Sequence, residues 1–371
     1  MQLHHWRRAV LKVGSSLVAP EGVLSTRYRL GIARFIAEAR LQQREIILVS
    51  SGAVAAGRTV LPTLAEHGRK YLSGKQALAA AGQARLIMSW ATLFDFPVAQ
   101  LLLTAADLQD RQRYVNAKNT LRELLNADCL PIINENDSII TDELKVGDND
   151  NLAAHVASLI DADLLIIGSD IDGLYDKHPG KFPDAKRIDC VDVIDASIYA
   201  MAGGAGTVAG TGGMQTKIQA AERAIKRGIT TVIGSGQKTE FFHALLEDRC
   251  LGTSFVPKGD RQTARKHWLQ HNLKSQGKIL IDAGAFTALR ERGASLLPSG
   301  ITAIEGEFET GDAVDVIWQN GEQSQLLGKG LSQFDSSMLQ QIKGLRRDAI
   351  AAIAGVNASD VVIHRDDLVL T

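Results

Sequence analysis

An α/β domain on a mostly parallel sheet, followed by a smaller β-barrel-like domain, is the fold class this sequence predicts, and three observations predict it. From residue 9 to about residue 258, short apolar runs alternate with segments whose apolar residues recur at helical spacing, the pattern of strand–helix units laid on one sheet. The runs Leu130-Pro131-Ile132-Ile133 and Ala162 to Gly168 lack the alternation of a half-exposed strand, as strands covered on both faces do. After Gly277 the pattern changes to short strands divided by turn residues such as Pro298-Ser299-Gly300 and Asn320-Gly321.

The 371 residues suit about two domains. A composition 45% hydrophobic and 22% charged is that of a globular chain with a full core. The net charge of −1 gives no field that would draw the chain to nucleic acid or to a membrane surface. Cys129, Cys190 and Cys250 are odd in number, far apart and outside any C-x-x-C pair, so they are expected as reduced thiols, not as a disulfide frame or zinc site. Arg7 and Arg8 before Ala9-Val10-Leu11 imitate a signal peptide, but Lys12 interrupts the apolar stretch after three residues. No apolar run approaches the ~18 residues of a spanning helix. A cytoplasmic protein without membrane contact is the expectation.

Taken in order, Ala9 to Val13 is a short buried strand ending at Gly14-Ser15-Ser16. Lys12 inside it is either an edge-strand lysine pointing to water or a cation at a strand's carboxyl end, reaching an anionic ligand. Leu30, Ala33, Ile36 and Ala37 mark a helix between Thr26 and Gln43, and Glu45 to Val49 is the second strand, breaking into Ser50-Ser51-Gly52-Ala53. Bare N–H groups in such a Ser/Gly turn can hold an anion. Residues 70 to 94 form a helix in which Ala79-Ala80-Ala81-Gly82 allows close packing. A third strand runs from Val98 to Leu103, a charged helix from Asp107 to Asn126, and a fourth strand from Leu130 to Ile133. The strand Ala162 to Gly168 leads into Ser169-Asp170-Ile171-Asp172-Gly173-Leu174-Tyr175. A helix from the Thr211–Lys217 region to Arg227 and a strand from Thr230 to Ile233 follow. Residues 259 to 275 form a basic linker; His267 and His271 on it have helical spacing but no third ligand, so a solvated face is expected. Strands at Lys278 to Ile281, Ile301 to Glu305, Ala313 to Trp318 and Gln325 to Leu327, with helical segments near 336 to 355, build the second domain, 276 to 371.

The chain is organised around Asn134-Glu135-Asn136-Asp137 and, ten residues on, Val146 to Asn151. These segments hold seven Asn or Asp residues just after a strand and just before a helix. Capping that helix by Asp148 or Asn149 needs only one of them, whereas the carboxyl end of a strand in an alternating fold is where ligands bind. A small hairpin, Ser138 to Thr141 with Glu143 to Val146, can cover this site. Gly203 to Gly213 is a glycine-rich loop running into a helix with a lysine, an arrangement suited to phosphate. It is no Walker A loop, and Gly204 to Ala209, although of the form G-x-G-x-x-A, follows no strand. His364-Arg365-Asp366 imitates a protein-kinase catalytic loop without its downstream Asn. Lys12 and Lys217 at two phosphate-friendly turns, with Ser169 and Asp170 placed for a ribose or base, point to phosphoryl transfer. No general base is evident, His155 lying on a helix face. An acceptor carboxylate, ionised at neutral pH with a pKa of ~4.3, needs none; it needs neutralisation of charge between two anions.

Leu11-Lys12-Val13-Gly14-Ser15-Ser16, Ser51 to Gly57, Lys75-Gln76, Asn134 to Asp137, Lys145 to Asn151, Gly173-Leu174-Tyr175 and Thr211 to Lys217 together resemble the amino-acid kinase family, in its glutamate-phosphorylating branch. Gly293 to Ile301 and Gly306-Glu307-Phe308 resemble the PUA domain that follows the kinase in that branch. The resemblance implies a three-layer sandwich (residues 1 to 258) and ATP-dependent phosphorylation of the glutamate side-chain carboxylate, the first step of proline biosynthesis, with Mg2+. It implies that Lys12 and Lys217 flank the transferring phosphoryl group with Asp150 between them as organiser. Ser51, Gly52, Asn134, Asp137, Asp148 and Asn149 would hold glutamate. Lys12, Ser169, Asp170 and the run Thr211, Gly212, Gly213, Met214, Gln215, Thr216 and Lys217 would hold ATP. Feedback inhibition by proline and a homo-oligomer, dimer or tetramer, are further implications. Ser169 stands where the family usually has Thr, His178 where Asp is common, and the His4–Arg8 start is longer than usual and without evident role.

Relatives acting on acetylglutamate, aspartate, carbamate or UMP remain as alternatives, although carboxylates at 137 and 148 favour a free ammonium over an acetylated amine. An RNA-binding protein is the alternative from another class. Aromatics at 5% and the slightly negative charge oppose it, so RNA is not an expected partner.

Overall fold

The structure, a computed structural model, describes residues 1–67, 71–139, 149–203, 213–258, 275–320, 323–346, 349–350, 353 and 360–370, with the side chains of 67, 105 and 320 left aside. The chain divides into two compact units, residues 1–109 with 118–261, and residues 110–117 with 262–371.

In the first unit the apolar runs form β1 (Arg8–Val13), β2 (Glu45–Ser50), β3 (Val98–Leu103), β4 (Leu130–Glu135), β5 (Leu164–Ser169), β6 (Cys190–Val191), β7 (Thr230–Ser235) and β8 (Thr253–Phe255). Among the described residues they make one eight-stranded sheet in the order β3-β4-β2-β1-β5-β7-β8-β6. From β3 to β7 the neighbours are parallel; β8 turns antiparallel to β7 and carries β6 with it. β1 is therefore central, not an edge, and the water-facing reading of Lys12 is overturned. Val13 sits opposite both Ser50 and Gly168, and Ser169 opposite Ser235. The carboxyl ends of these four neighbouring strands thus finish level along one side of the sheet.

Helices cover both faces. In chain order the helices up to residue 258 are α1 (Ser15–Val18), α2 (Thr26–Leu41), α3 (Ala53–Val60), α4 (Pro62–His67), α5 (Leu72–Ala91), α6 (Ala105–Gln109), α7 (Arg111–Asn126), α8 (Asn149–Leu159), α9 (Ala196–Met201), α10 (Met214–Ile225) and α11 (Thr239–Leu246). Side chains alternate along each strand. Ala9, Leu11 and Val13 join Ile46, Leu48, Ile166 and Val232 in a core with Ile32 and Phe35 of α2, Trp90 of α5 and Phe241 of α11. On the opposite face α8 lies against β1, β5 and β2, and α10 against β7 and β5. Lys12 alternates onto that second face.

Two close approaches fix the helices beside the site. A Cβ on Gly82 of α5 would stand 1.9 Å from Ala53 O and 2.3 Å from Gly57 N, and one on Gly57 of α3 would stand 1.9 Å from Leu78 O. Only glycine lets these two helices touch backbone to backbone, as the small residues around position 80 predict. The helix expected from Asp107 to Asn126 is two helices. Thr104 caps the first, its hydroxyl accepting from Asp107 N at 3.2 Å while Asp107 accepts back from Thr104 N at 2.7 Å, and Asp110 caps the second by accepting from Arg113 N at 2.8 Å, so each helix has its own cap. The amino-terminal segment also has a structural task. Trp6 is buried, its indole donates to Leu245 O at 3.0 Å, and Arg44 stacks on its ring at 4.4 Å while bonding Asp248. The segment seats α11 on the sheet.

The second unit holds β9 (Gly277–Ile281), β10 (Ile301–Glu305), β11 (Ala313–Asn320), β12 (Gln323–Leu331) and β13 (Leu368–Leu370), with α12 (Ala283–Arg292) and α13 (Ser336–Ile342). The strand order is β10-β9-β11-β12-β13, with β9 and β11 parallel and the other neighbours antiparallel. Ile279, Ile281, Val314, Val316, Leu339 and Ile363 form its core. The sequence reading omitted α12, whose signals are nonetheless clear in retrospect. Asp282 caps it by accepting from Ala285 N at 2.7 Å, and Gly293 ends it at φ 58°.

All but the last residue of the expected linker 259–275, the greater part of the hairpin and the pair His267/His271 lie outside the described residues. No described helix is long and apolar enough to cross a membrane.

Candidate active site

Lys12 is the last residue but one of β1, and Lys217 lies in the first turn of α10. Asp150 lies in the first turn of α8, where the helix dipole favours a carboxylate. The sheet order brings all three together. Lys12 Nζ lies 2.5 Å from one carboxylate oxygen of Asp150, and Lys217 Nζ donates to the other at 2.9 Å. The three residues are 3%, 4% and 0% exposed. Thr216 Oγ lies 3.0 Å from the second Asp150 oxygen and 2.8 Å from Gly213 O, sharing one proton between them. Within this triad two ammonium groups outnumber one carboxylate, and all three are largely screened from water. Such an arrangement attracts an anionic oxygen more strongly than any surface lysine would.

Beside the triad is a cluster of neutral amides and a hydroxyl. Asn149, next to Asp150 on α8, donates through Nδ2 to Ser51 Oγ at 2.6 Å and to Asn134 Oδ1 at 3.0 Å. Asn134, the last residue but one of β4, donates in turn to Gln83 Oε1 on α5 at 2.9 Å. The buried Trp90 indole donates to Ser50 Oγ at 2.9 Å and thereby fixes the start of the turn. Gly52 caps α3 at φ 115° without a side-chain cap, and a Cβ there would meet Val18 at 2.8 Å. Both its conformation and its surroundings demand glycine.

Residues 7–235, more than half of the chain, match the model of the amino acid kinase family. The chain belongs to the amino acid kinase family. Residues 277–354 of this kinase match the PUA domain. A glutamate 5-kinase of Idiomarina loihiensis is 50% identical over 371 residues, covering 100% of this chain and 99% of the relative. One of Salinibacter ruber is 51% identical over 375 residues, covering 99% and 98%. Among solved structures, the carbamate kinase from Giardia lamblia bound to AMP-PNP matches with a TM-score of 0.51 at 18% identity, over 68% of this kinase and 99% of that chain. At that identity the likeness is one of fold.

The structure brings Lys12, Lys217, Asp150 and Thr216 into one group, and Ser51, Asn134 and Asn149 into another. Gly52 adjoins the second group through Ser51. Asp137 lies half-buried in the turn after β4. Ser169 is 5% exposed at the end of β5 and donates to the exposed Asp170 at 2.9 Å. The loop beyond them is tied through Asp172. Burial opposes ionisation there, but the Tyr175 hydroxyl at 2.8 Å, Lys238 and Arg187 hold its carboxyl below the usual range. Gly213 caps α10 in extended conformation without a side-chain cap, and Met214 and Gln215 begin that helix, so its first N–H groups can meet an acceptor. Asp148, Thr211 and Gly212 lie outside the described residues. His155 has its pKa lowered to about 4 by burial and by Arg223 and Arg227, so it stays neutral on the helix pair α8–α10. Sequence reasoning missed Gln83. Its only signal is its place after Gly82, the residue that pins α5 to α3.

Proposed function

We propose that this kinase transfers the γ-phosphoryl group of ATP to the side-chain carboxylate of L-glutamate, forming glutamyl 5-phosphate and ADP, the first step of proline biosynthesis. The buried Lys12–Asp150–Lys217 triad beside the amide cluster carries the reading, and the glutamate 5-kinases about half-identical over the full chain support it.

The acceptor carboxylate is already ionised near neutral pH, since its pKa is ~4.3. No group must take a proton from it, in keeping with a His155 that lies elsewhere. The bond from a glutamate carboxylate oxygen to the γ-phosphorus forms while the bond from that phosphorus to the bridging oxygen breaks, and ADP leaves with the electron pair. The barrier is the approach of one anion to another. Lys12 and Lys217 neutralise it from two sides, and Asp150 holds the two ammonium groups at fixed positions without reacting. Preorganised cations of this kind cost nothing to reorient during reaction. Ser51, Gly52, Asn134, Asp137, Asp148 and Asn149 hold glutamate; Ser169, Asp170 and the segment from Thr211 to Lys217 hold the nucleotide.

Mg2+ supplies charge neutralisation on the nucleotide phosphates when bound. Among the described residues no three His, Cys, Asp or Glu side chains converge, and both Asp150 oxygens face lysines. With both of those oxygens occupied, Mg2+ would be held through the nucleotide phosphates rather than by Asp150.

Proline, which shares an α-carboxylate and an ammonium with glutamate, is proposed to compete for the same site as a feedback inhibitor, in a cytoplasmic homo-oligomer. The test is ATP turnover with glutamate, acetylglutamate, aspartate and UMP, with hydroxylamine trapping the acyl phosphate. Hydroxamate with glutamate alone is expected, falling as proline is added at low glutamate. Turnover on another acceptor in preference to glutamate refutes the reading.

A further inference from the structure

We infer that Gln83 on α5 is a positioning residue that selects a substrate with a free ammonium group, by fixing the polarity of the amide cluster. The inference rests on the glutamate reading above and identifies how that site recognises the amine.

A backbone N–H, unambiguous as a donor, fixes the orientation of the whole cluster. Glu135 N–H donates to one side-chain atom of Asn134 at 2.9 Å, so that atom is the acceptor oxygen and the other is the NH2. The NH2 of Asn134 then faces Gln83 at 2.9 Å, and Gln83 meets it with an acceptor, Oε1. The Asn134 oxygen, held in place, accepts a second bond at 3.0 Å from Asn149, which must present its NH2. That NH2 also donates to Ser51 Oγ at 2.6 Å. Two consequences follow. Asn149 Oδ1 is left as a buried acceptor without a hydrogen-bond partner among the described residues, in a side chain nine-tenths buried. Ser51, accepting through its oxygen, keeps its own proton to donate. A buried orphan acceptor costs free energy unless a ligand donor reaches it. An acceptor beside a donor is the complement of an ammonium beside a carboxylate, the head group of an α-amino acid.

Were Gln83 to present a donor, two NH2 groups would oppose each other at Asn134. Asn134 would then be driven to turn, against its bond from Glu135 N–H, and Asn149 would be free to point its NH2 at the substrate amine. Gln83 itself is held by the adjoining Gly82, packed against Ala53 and Gly57.

The experiment compares Gln83→Glu, Gln83→Met and Gln83→Lys with the wild-type enzyme. All four residue types suit a helix, and the position is half-buried, so each variant should fold, as checked by thermal melting. Gln83→Glu keeps the acceptor and should leave the KM for glutamate within about threefold. Gln83→Met should raise it about tenfold and Gln83→Lys further, on the order of the loss of one bond to a charged group. In all three kcat and the KM for ATP should stay close to wild type, and the preference for glutamate over acetylglutamate should fall in the order Glu, Met, Lys. A Gln83→Met enzyme with unchanged KM for glutamate overturns the inference. So does a Gln83→Glu enzyme as impaired as Gln83→Met, which would make the contact one of packing. A wild-type enzyme that does not turn over glutamate overturns the functional reading itself, and the inference with it.

Discussion

Replacing Asp150 by Asn tests the charge arrangement most directly. The substitution keeps the side chain's shape and removes the charge that the ammonium groups of Lys12 and Lys217, 2.5 and 2.9 Å away, share. The amide offers one oxygen to one lysine and a donor to the other. Removing one partner of a buried ion pair costs about 3–5 kcal/mol, and here two cations depend on the same carboxylate, which is fully buried. For a unit of this size about 2–4 °C of melting temperature accompany each kcal/mol, so the melting transition should fall by roughly 6–20 °C. Anions should restore it, because a ligand that binds only the folded state raises stability in proportion to its occupancy. Thermal melting of the wild type and the variant, with and without ATP or inorganic phosphate, measures both effects. A loss below about 2 °C, or equal stabilisation of the two proteins by anions, would refute the view that Asp150 is the counter-charge that holds the lysines.

Other outcomes follow from the same contacts. Lys12→Ala and Lys217→Ala should each lower kcat by roughly 10²–10³ while glutamate binding changes little; near-normal kcat in either, measured by steady-state kinetics, would make that lysine structural. Gly82→Ala places a Cβ 1.9 Å from Ala53 O and should destabilise the kinase unit by about 1–3 kcal/mol or more, with a raised KM for glutamate as Gln83 and the start of α3 shift; an unperturbed denaturation midpoint would contradict the close packing. His155 remains neutral in the folded chain down to about pH 4, whereas it protonates near 6.5 when exposed. Its contribution is therefore complete above pH 6.5 and is lost as pH falls toward 4, worth up to about 3 kcal/mol. Melting curves of His155→Gln should be flatter than wild type across that window, and identical slopes would remove His155 as the cause.

The sequence by itself determined the parts whose causes are local. β3 and β10 have the bounds that their apolar runs and flanking turns indicate, and β1, β2, β4, β5 and β7 differ only at their ends, because a buried strand must be apolar wherever it lies in the sheet. The residue types of the site were equally legible, since a polar cluster between a strand and a helix has few structural uses. The tertiary structure alone decided which of those residues meet. Lys217 and Asp150 stand 67 residues apart, Asn149 and Ser51 98, and Asn134 and Gln83 51. These separations close only through the order and register of the parallel strands, a property of the whole sheet that no local window contains. Gln83 was invisible for that reason: on its own helix it is an ordinary polar residue. Trp6 was misjudged in the same way, its burial depending on α11 more than 230 residues later. Local periodicity specifies which face of an element is apolar, whereas the partner of a polar side chain is set by backbone packing, here by two glycines that let α5 touch α3.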